Sequence, residues 1–366
     1  MQENKSTQQT KLALSIVITS YTTERLKDIF ELFDSIKEQT ILTQPRCSKF
    51  YVLSSRSEVL DSNSQDIEHR TWNIEHFIEV IFVAERSREL YEKVKEYGET
   101  IELPDFRVLF SEEKLWLAGA RDLGAKEAKG EIIAFVDDDV VLSPEWAQEM
   151  VKSYDDEEVI GVTGATFPLW RDKKLDWLPK DFYWLISCTD WTGWNDVREA
   201  RSLWGGNMSL KREAFERAGS FLQALGYHAP MAEDLEFSLR VKKITGKKLL
   251  FNPKAKVGHK VYGYRVNLKF VASRAHHIGV SRRILRTTSL RGLAPFRLET
   301  KVLKGVAKIL IFLPLEFIRN PSIAWRKFLI TFTILLFSAL GYLFPGKALE
   351  AAKEIEKALG EAEKGK

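Results

Sequence analysis

The sequence predicts an α/β fold, a mostly parallel sheet flanked by helices, with a basic, membrane-associated helical segment after it. Three observations carry this. Short apolar runs alternate with amphipathic stretches from Leu12 to about Leu142. One of those runs, Ile132 to Val136, leads straight into Asp137, Asp138 and Asp139. Towards the C-terminus a dense run of lysines and arginines precedes a long uncharged stretch.

The elements follow in order. Leu12–Ser20 reads as a buried strand, and Thr23–Glu38 as a helix because Leu26, Ile29, Phe30, Phe33 and Ile36 recur at helical spacing. Phe50–Leu53 is a second, shorter strand, residues 57–75 a polar loop and Ile78–Val83 another strand. Arg86–Glu99 is a charged helix and Phe106–Phe110 a strand. Leu115–Lys129 is a helix with Gly130 just past its end. After the acidic strand come a helix over Glu145–Tyr154, a strand over Val159–Thr166 and an irregular stretch rich in tryptophan (Trp170, Trp177, Trp184, Trp191, Trp194, Trp204). Gly205-Gly206-Asn207 precedes a short strand and a helix over Lys211–Ala218, and Glu233-Asp234 opens a helix to about Ile244. Strand–helix–strand alternation of this kind builds parallel sheets through right-handed crossovers.

The acidic strand points to chemistry. A short apolar run bounded by charge reads as a strand buried on both faces, and ligands of open α/β sheets gather at the carboxyl ends of such strands. Three adjacent carboxylates repel one another unless a divalent cation sits among them. Alternation along a strand turns Asp137 and Asp139 the same way and Asp138 aside. Taken alone, an Asp-Asp-Asp run is more often a solvated acidic loop; its neighbours in the sequence reverse that.

Composition sets the frame. The chain has 366 residues, 45% hydrophobic and 29% charged, enough for one large domain plus an appendage or for two domains. Cys47 and Cys188 show no metal-ligand spacing and no disulfide framework, which favours a reducing compartment. The polar start, Met1–Lys11, does not read as a signal peptide. The net charge of +4 hides an asymmetry: residues 240–308 hold nineteen Lys/Arg and one acid, whereas residues 1–239 hold 28 basic and 44 acidic residues. Such a basic segment meets something anionic, with nucleic acid, lipid headgroups and pyrophosphates all qualifying on charge alone.

Five ordered blocks resemble the family 2 glycosyltransferases: SIVITSY at 15–21, LAGARDLGAKEAKG and EIIAFVDDDVVLSPEW within 117–146, WGGNMSLKREAFERAGSF at 204–221, and AEDLEFSLRVKKITGKKLLFNPKAKVGHKV at 232–261. The resemblance covers roughly residues 12–290 and implies a GT-A (Rossmann-like) fold acting on nucleotide sugars. It implies Asp137, Asp139 and His259 as ligands of Mn²⁺ or Mg²⁺, and Thr19, Tyr21, Glu24, Ser55, Arg121, Asp137 and Asp138 as contacts of a nucleotide-sugar donor, UDP or GDP being favoured. It further implies Trp204, Gly205, Gly206, Asn207 and Glu233 on the acceptor side, and Asp234 as the general base of an inverting transfer. The family's acidic base-reader after the second strand is missing from Val52–Ser57, leaving the nucleobase open, and Asp122 stands where asparagine is commoner. The Gln-x-x-Arg-Trp signature of processive synthases is absent, which favours addition of one sugar.

On this reading residues 1–11 are a polar tail, 12–144 the donor half, 145–265 the acceptor and catalytic half, 266–345 basic amphipathic and membrane-embedded helices, and 346–366 a charged, solvated tail. Phe328–Phe344 holds seventeen residues without a charge, about 26 Å of helix, near the short limit for crossing a ~30 Å bilayer core. Trp325, Arg326, Lys327 and Tyr342 suit its interfaces. Val302–Ile318 is apolar but interrupted by Lys304, Lys308 and Pro314, which suits an interfacial helix or a re-entrant hairpin. The expected partners are therefore a nucleotide sugar, a lipid-linked acceptor and a membrane, with the catalytic domain on the cytoplasmic side and no nucleic acid. Two rivals remain: a metal-dependent nucleotidyltransferase, and a catalytically silent carbohydrate-binding protein.

Overall fold

The computed structural model describes residues 13–43, 77–172, 175, 177–228, 232–263, 267–293 and 297–364. The expected strand at Phe50–Leu53, the loop at 57–75 and Ser55 lie outside the described residues.

The first half alternates as expected: β1 (Ala13–Ser20), α1 (Leu26–Lys37), α2 (Thr40–Thr43), β2 (Phe77–Glu85), α3 (Arg88–Thr100), β3 (Phe106–Ser111), α4 (Trp116–Glu127) and β4 (Ile132–Asp137). Then come β5 (Val140–Leu142), α5 (Trp146–Lys152), β6 (Val159–Trp170), β7 (Arg198–Glu199), β8 (Asn207–Lys211), α6 (Arg212–Ala218), α7 (Gln223–His228), α8 (Glu233–Thr245) and β9 (Lys248–Val261). The chain closes with α9 (Leu268–Arg286), α10 (Arg297–Arg319), α11 (Pro321–Leu343) and α12 (Glu350–Lys364).

One sheet runs β3-β2-β1-β4-β8-β6-β9-β5, with β7 also paired to β9. The β3-β2-β1-β4 half is parallel, whereas β8 is antiparallel to both β4 and β6. Strand order reverses at β1, whose neighbours are β2 and β4, so a crevice opens beyond the carboxyl ends of β1 and β4. Register sets Thr19 beside Asp137 there.

The strand interiors are apolar on both faces because both are covered. Ile16, Ile18, Phe82 and Val136 pack on one side with α1 residues Ile29, Leu32 and Phe33. Val17, Ile133 and Phe135 pack on the other with Phe237, Leu239 and Ile284. A third cluster joins the tryptophan-rich segment, folded as short 3₁₀ turns over Lys180–Ile186 and Asp190–Thr192, to α9, α10 and α11. Helices α9 and α11 approach closely: a Cβ at Gly279 would run into the Ser338 carbonyl, and one at Gly341 into that of His276.

The C-terminal tail is not solvated as expected. Ala351, Ile355 and Leu359 of α12 are buried in the same core as Phe237 and Ile284, because their four-residue spacing makes an apolar stripe on an otherwise charged helix.

Candidate active site

β4 and β5 flank the acidic run, and the tight return between them aims Asp137 and Asp139 at the crevice. Strand β5 pairs antiparallel with β9, with Val140 opposite His259. That register delivers a histidine 120 residues further along the chain to the aspartates. Nε2 of His259 stands 3.3 Å from Oδ1 of Asp139. One donor atom each from Asp137, Asp139 and His259 lies within 4.8 Å of the others. Ligand atoms about 2.0–2.2 Å from a common ion lie up to about 4.4 Å apart, so the three atoms are grouped close to the reach of one ion. Two carboxylates and an imidazole fit a divalent cation, and the nitrogen ligand suits a transition ion such as Mn²⁺ better than all-oxygen Mg²⁺.

Arg25 reaches Asp139 Oδ2 at 3.4 Å from the other side, and its guanidinium also donates to Asp28 at 3.0 Å. Asp28 accepts from the Tyr262 hydroxyl at 2.6 Å and pairs with buried Lys260 at 3.2 Å. Burial works against the charge of Asp28, but the Tyr262, Arg25 and Lys260 contacts outweigh it and hold its pKa low. This network ties α1 and β9 to the metal-ligand side of the crevice. Arg25, Asp28 and Tyr262 lie outside the matched blocks, and Lys260, though inside the last of them, was given no role there. Asp138 is turned aside, and burial, then the charge of Asp139, pushes its carboxyl up to about 7.

Thr19 is half-buried beside Asp137, whereas Tyr21 and Glu24 are exposed just past the end of β1. Arg121, almost wholly buried on α4, donates to the Gly205 carbonyl at 2.9 Å, reaches Asp137 at 3.4 Å and Glu233 at 3.8 Å. Gly205 and Gly206 allow that approach: a Cβ at Gly205 would lie 2.8 Å from Arg121 Nη2, and one at Gly206 2.5 Å from Asp137 Oδ2.

Asp234 sits in the first turn of α8, the positive end of that helix. It accepts from the Gly205 N–H at 2.9 Å and from the Leu235 N–H at 2.7 Å. Burial, and then the adjacent Glu233 charge, raise its pKa to about 6. Of the remaining positions, Trp204 faces the cavity and packs edge-on against Trp194. Asn207 does not face it. Its amide accepts from Trp146 Nε1 at 2.8 Å and donates to the Ala165 and Ala255 carbonyls, fastening the sheet. Asp122 is likewise turned into the protein, accepting from the Phe221 N–H at 3.0 Å, and burial raises its pKa to about 7.

Asp137, Arg121, Glu233 and Asp234 open into one cavity of about 1460 Å³, which continues to the walls of α9, α10 and α11. Sheet order and the place where the acidic strand ends put the chain in the GT-A class of α/β folds. Residues 64–219 match the glycosyl transferase family 2 profile. The chain carries a glycosyl transferase family 2 domain, and the protein is a glycosyltransferase. A glucosyl-dolichyl phosphate glucuronosyltransferase of Haloferax volcanii is 25% identical over 233 residues, which is 62% of this chain and 74% of the relative. A mannosyltransferase from Pyrobaculum calidifontis, solved with GDP-Man and Mn²⁺, superposes with a TM-score of 0.51 at 16% identity, over 96% of this chain and 86% of its own. At that identity the second likeness is one of fold.

Proposed function

We propose that the protein is a metal-dependent, inverting glycosyltransferase that moves one sugar from a nucleotide sugar to a lipid-linked acceptor at the cytoplasmic face of a membrane. The observation that carries this reading is the shared cavity. Asp137 and Asp234 open into the same space, and that space runs on to apolar helices. The Haloferax relative, with a dolichyl phosphate in its name, supports the acceptor class.

The donor's diphosphate lies at the carboxyl ends of β1 and β4, with Asp137, Asp139 and His259 as the residues that hold the cation. When bound, that cation neutralises charge growing on the departing diphosphate. Arg121 braces Asp137 and Glu233. Asp234 takes the proton from an acceptor hydroxyl as its oxygen bonds to the anomeric carbon. The bond from that carbon to the diphosphate breaks on the opposite face, so configuration inverts. A pKa of about 6 leaves Asp234 ionised at neutral pH, yet basic enough to accept the proton.

Attachment to the membrane rests on α10 and α11. α11 is the one described helix long and apolar enough to cross a membrane. Ile311, Phe312, Ile318, Phe332 and Leu343 point outward from the pair, an apolar surface of the kind that meets lipid.

Thermal unfolding with a panel of UDP- and GDP-sugars, with and without Mn²⁺, tests the donor half. A cognate donor should raise the melting temperature only with the metal, because ligands stabilise the state they bind. Release of a nucleoside diphosphate upon turnover supports transfer of the sugar. Release of inorganic pyrophosphate would instead make the protein a nucleotidyltransferase.

A further inference from the structure

Part of the cavity wall is an aromatic side chain on a strained backbone. Trp116 opens α4 with φ +56°, in the left-handed region that a bulky residue enters only when its surroundings require it. A glycine would adopt the same backbone at no steric cost. The surroundings hold the tryptophan there. Glu85, the last residue of β2, accepts from the backbone N–H groups of Trp116 and Leu115. The ammonium of exposed Lys114 lies 3.4 Å from the centroid of the indole ring, so a cation covers one of its faces.

Core filling does not explain the residue. Trp184, Trp191 and Trp204 also line the cavity, but each packs in one of the three apolar clusters. Trp116 lines the cavity, is half-buried and belongs to none of those clusters. Strain of this kind persists where the side chain it presents is used. The cavity also lies to one side of the cation site. Asp137, Arg121, Glu233 and Asp234 line it, whereas Thr19, Tyr21 and Glu24 beyond β1, with Asp139 and His259, lie outside its lining. What meets Trp116 is therefore on the side of the reacting carbon and not of the nucleoside. Trp116 precedes Arg121 on α4 by five residues, about 7.5 Å along the axis, which keeps the indole close to the guanidinium that reaches Asp137.

We propose that Trp116 is the wall that selects the transferred sugar, the indole taking the C–H face of the donor's pyranose ring while Lys114 supports the opposite face of the indole. A pyranose carries hydroxyls around its rim and C–H bonds on its faces, and a flat, rigid, apolar body suits such a face. Which faces are free of hydroxyls depends on which of them are axial, so a flat wall discriminates between epimers. The assignment rests on the transferase reading above and deepens it by naming the residue that chooses the sugar.

Calorimetric titration of the full-length protein in a nonionic detergent with Mn²⁺ tests this. The probes are UDP, GDP and a panel of UDP- and GDP-sugars that includes epimeric pairs. W116A and W116G should each weaken the preferred nucleotide sugar about fivefold, within the range of an aromatic contact, while its own nucleoside diphosphate stays within twofold. The spread between epimers should narrow in both variants, and W116F should keep most of the wild-type affinity. Melting without ligand separates the wall from the fold. W116G should melt above W116A, because glycine alone relieves the left-handed backbone, yet bind the sugar no better. An equal loss for the nucleoside diphosphate would put the indole against the nucleoside and overturn the assignment, as would an unchanged nucleotide sugar. W116G melting below W116A would overturn the strain on which the assignment stands. If no nucleotide sugar in the panel binds the wild-type protein with Mn²⁺, the transferase reading fails; if one binds and the variants match it, only the wall fails.

Discussion

The backbone N–H of Gly205 donates to Oδ2 of Asp234 at 2.9 Å, while the carbonyl of the same Gly205 accepts from Arg121 at 2.9 Å. One peptide segment thus orients the proposed base and the arginine that reaches the Asp137 side. The link explains why a carboxylate at a helix start, unremarkable by itself, is held in a fixed direction at the edge of the cavity.

For the base, Asp234→Asn should leave donor binding nearly intact and slow transfer by roughly 10²–10⁴, the range of a positioned general base. The base works when unprotonated. With its pKa raised to about 6, the wild-type rate should fall as pH drops through that value and level off above it. Glu233→Gln removes the neighbouring negative charge and should move this acidic limb to lower pH. Rate profiles of the two variants check both; an acidic limb that ignores Glu233 would place the base elsewhere.

At the metal end, Asp139→Asn should abolish Mn²⁺-dependent donor binding, since an amide oxygen carries no charge for the cation. His259→Ala should weaken Mn²⁺ binding more than Mg²⁺ binding, because imidazole favours the transition ion. Titrating each metal against donor-induced stabilisation separates the two. Unchanged Mn²⁺ dependence in either variant removes that residue from the site.

Gly206→Ala should damage the same function by crowding. The new Cβ would come within 2.5 Å of Asp137 Oδ2 and push that ligand aside. Metal-dependent donor affinity should drop while the melting temperature without ligand changes little. A variant that binds donor normally would show that Asp137 has room to yield.

Much of this site was legible from its residues. Apolar runs ending in acid mark β4, and alternation turns Asp137 and Asp139 together. His259 was legible only through resemblance to a family, because the β5–β9 register that brings it to Asp139 spans distant parts of the chain. Arg25, Lys260 and Tyr262 were given no role, since ion pairs between α1 and β9 depend on how the sheet turns. Of the cavity-lining arginines besides Arg121, Arg274, Arg282, Arg286 and Arg291 were visible only as part of a basic stretch and Arg201 lay outside it: sequence counts charge but does not say which residues face one space. For α12 the signal was present and was outweighed. Ala351, Ile355 and Leu359 make a narrow stripe that the surrounding lysines and glutamates obscure.

Stability should depend heavily on a buried pair away from the cavity. Arg240 and Glu236 are fully buried and joined by two hydrogen bonds of 2.7 and 3.1 Å, and Arg240 also donates to the Ala218 and Ser220 carbonyls. Glu236→Gln leaves the guanidinium charge without its counterion and should cost about 3–5 kcal/mol. Chemical denaturation measures the loss directly. The folded fraction should still bind the donor, since neither residue lines the cavity.

The membrane reading turns on the outward face of α10 and α11. Deleting these helices with everything after them is a poor test, because α12 belongs to the core and α11 packs against α9. Point changes on the exposed side are cleaner. Ile311, Ile318 and Phe332 are 72%, 82% and 53% exposed, so aspartate at all three removes few internal contacts. Exposed substitutions in a folded protein usually change stability by no more than about 0.5 kcal/mol each. Within a bilayer an aspartate costs roughly 2.5 kcal/mol or more near the centre of a helix, and less at the interface. Flotation with vesicles containing anionic lipid should therefore carry the wild-type protein upward and leave the triple variant below, with both melting alike in detergent. Basic residues near the face, such as Lys304 and Lys308, add attraction that salt screens, so residual binding of the variant should vanish at high ionic strength. If the wild-type protein stays soluble without detergent and does not float, this apolar face covers something other than lipid, and the lipid-linked acceptor loses its structural support.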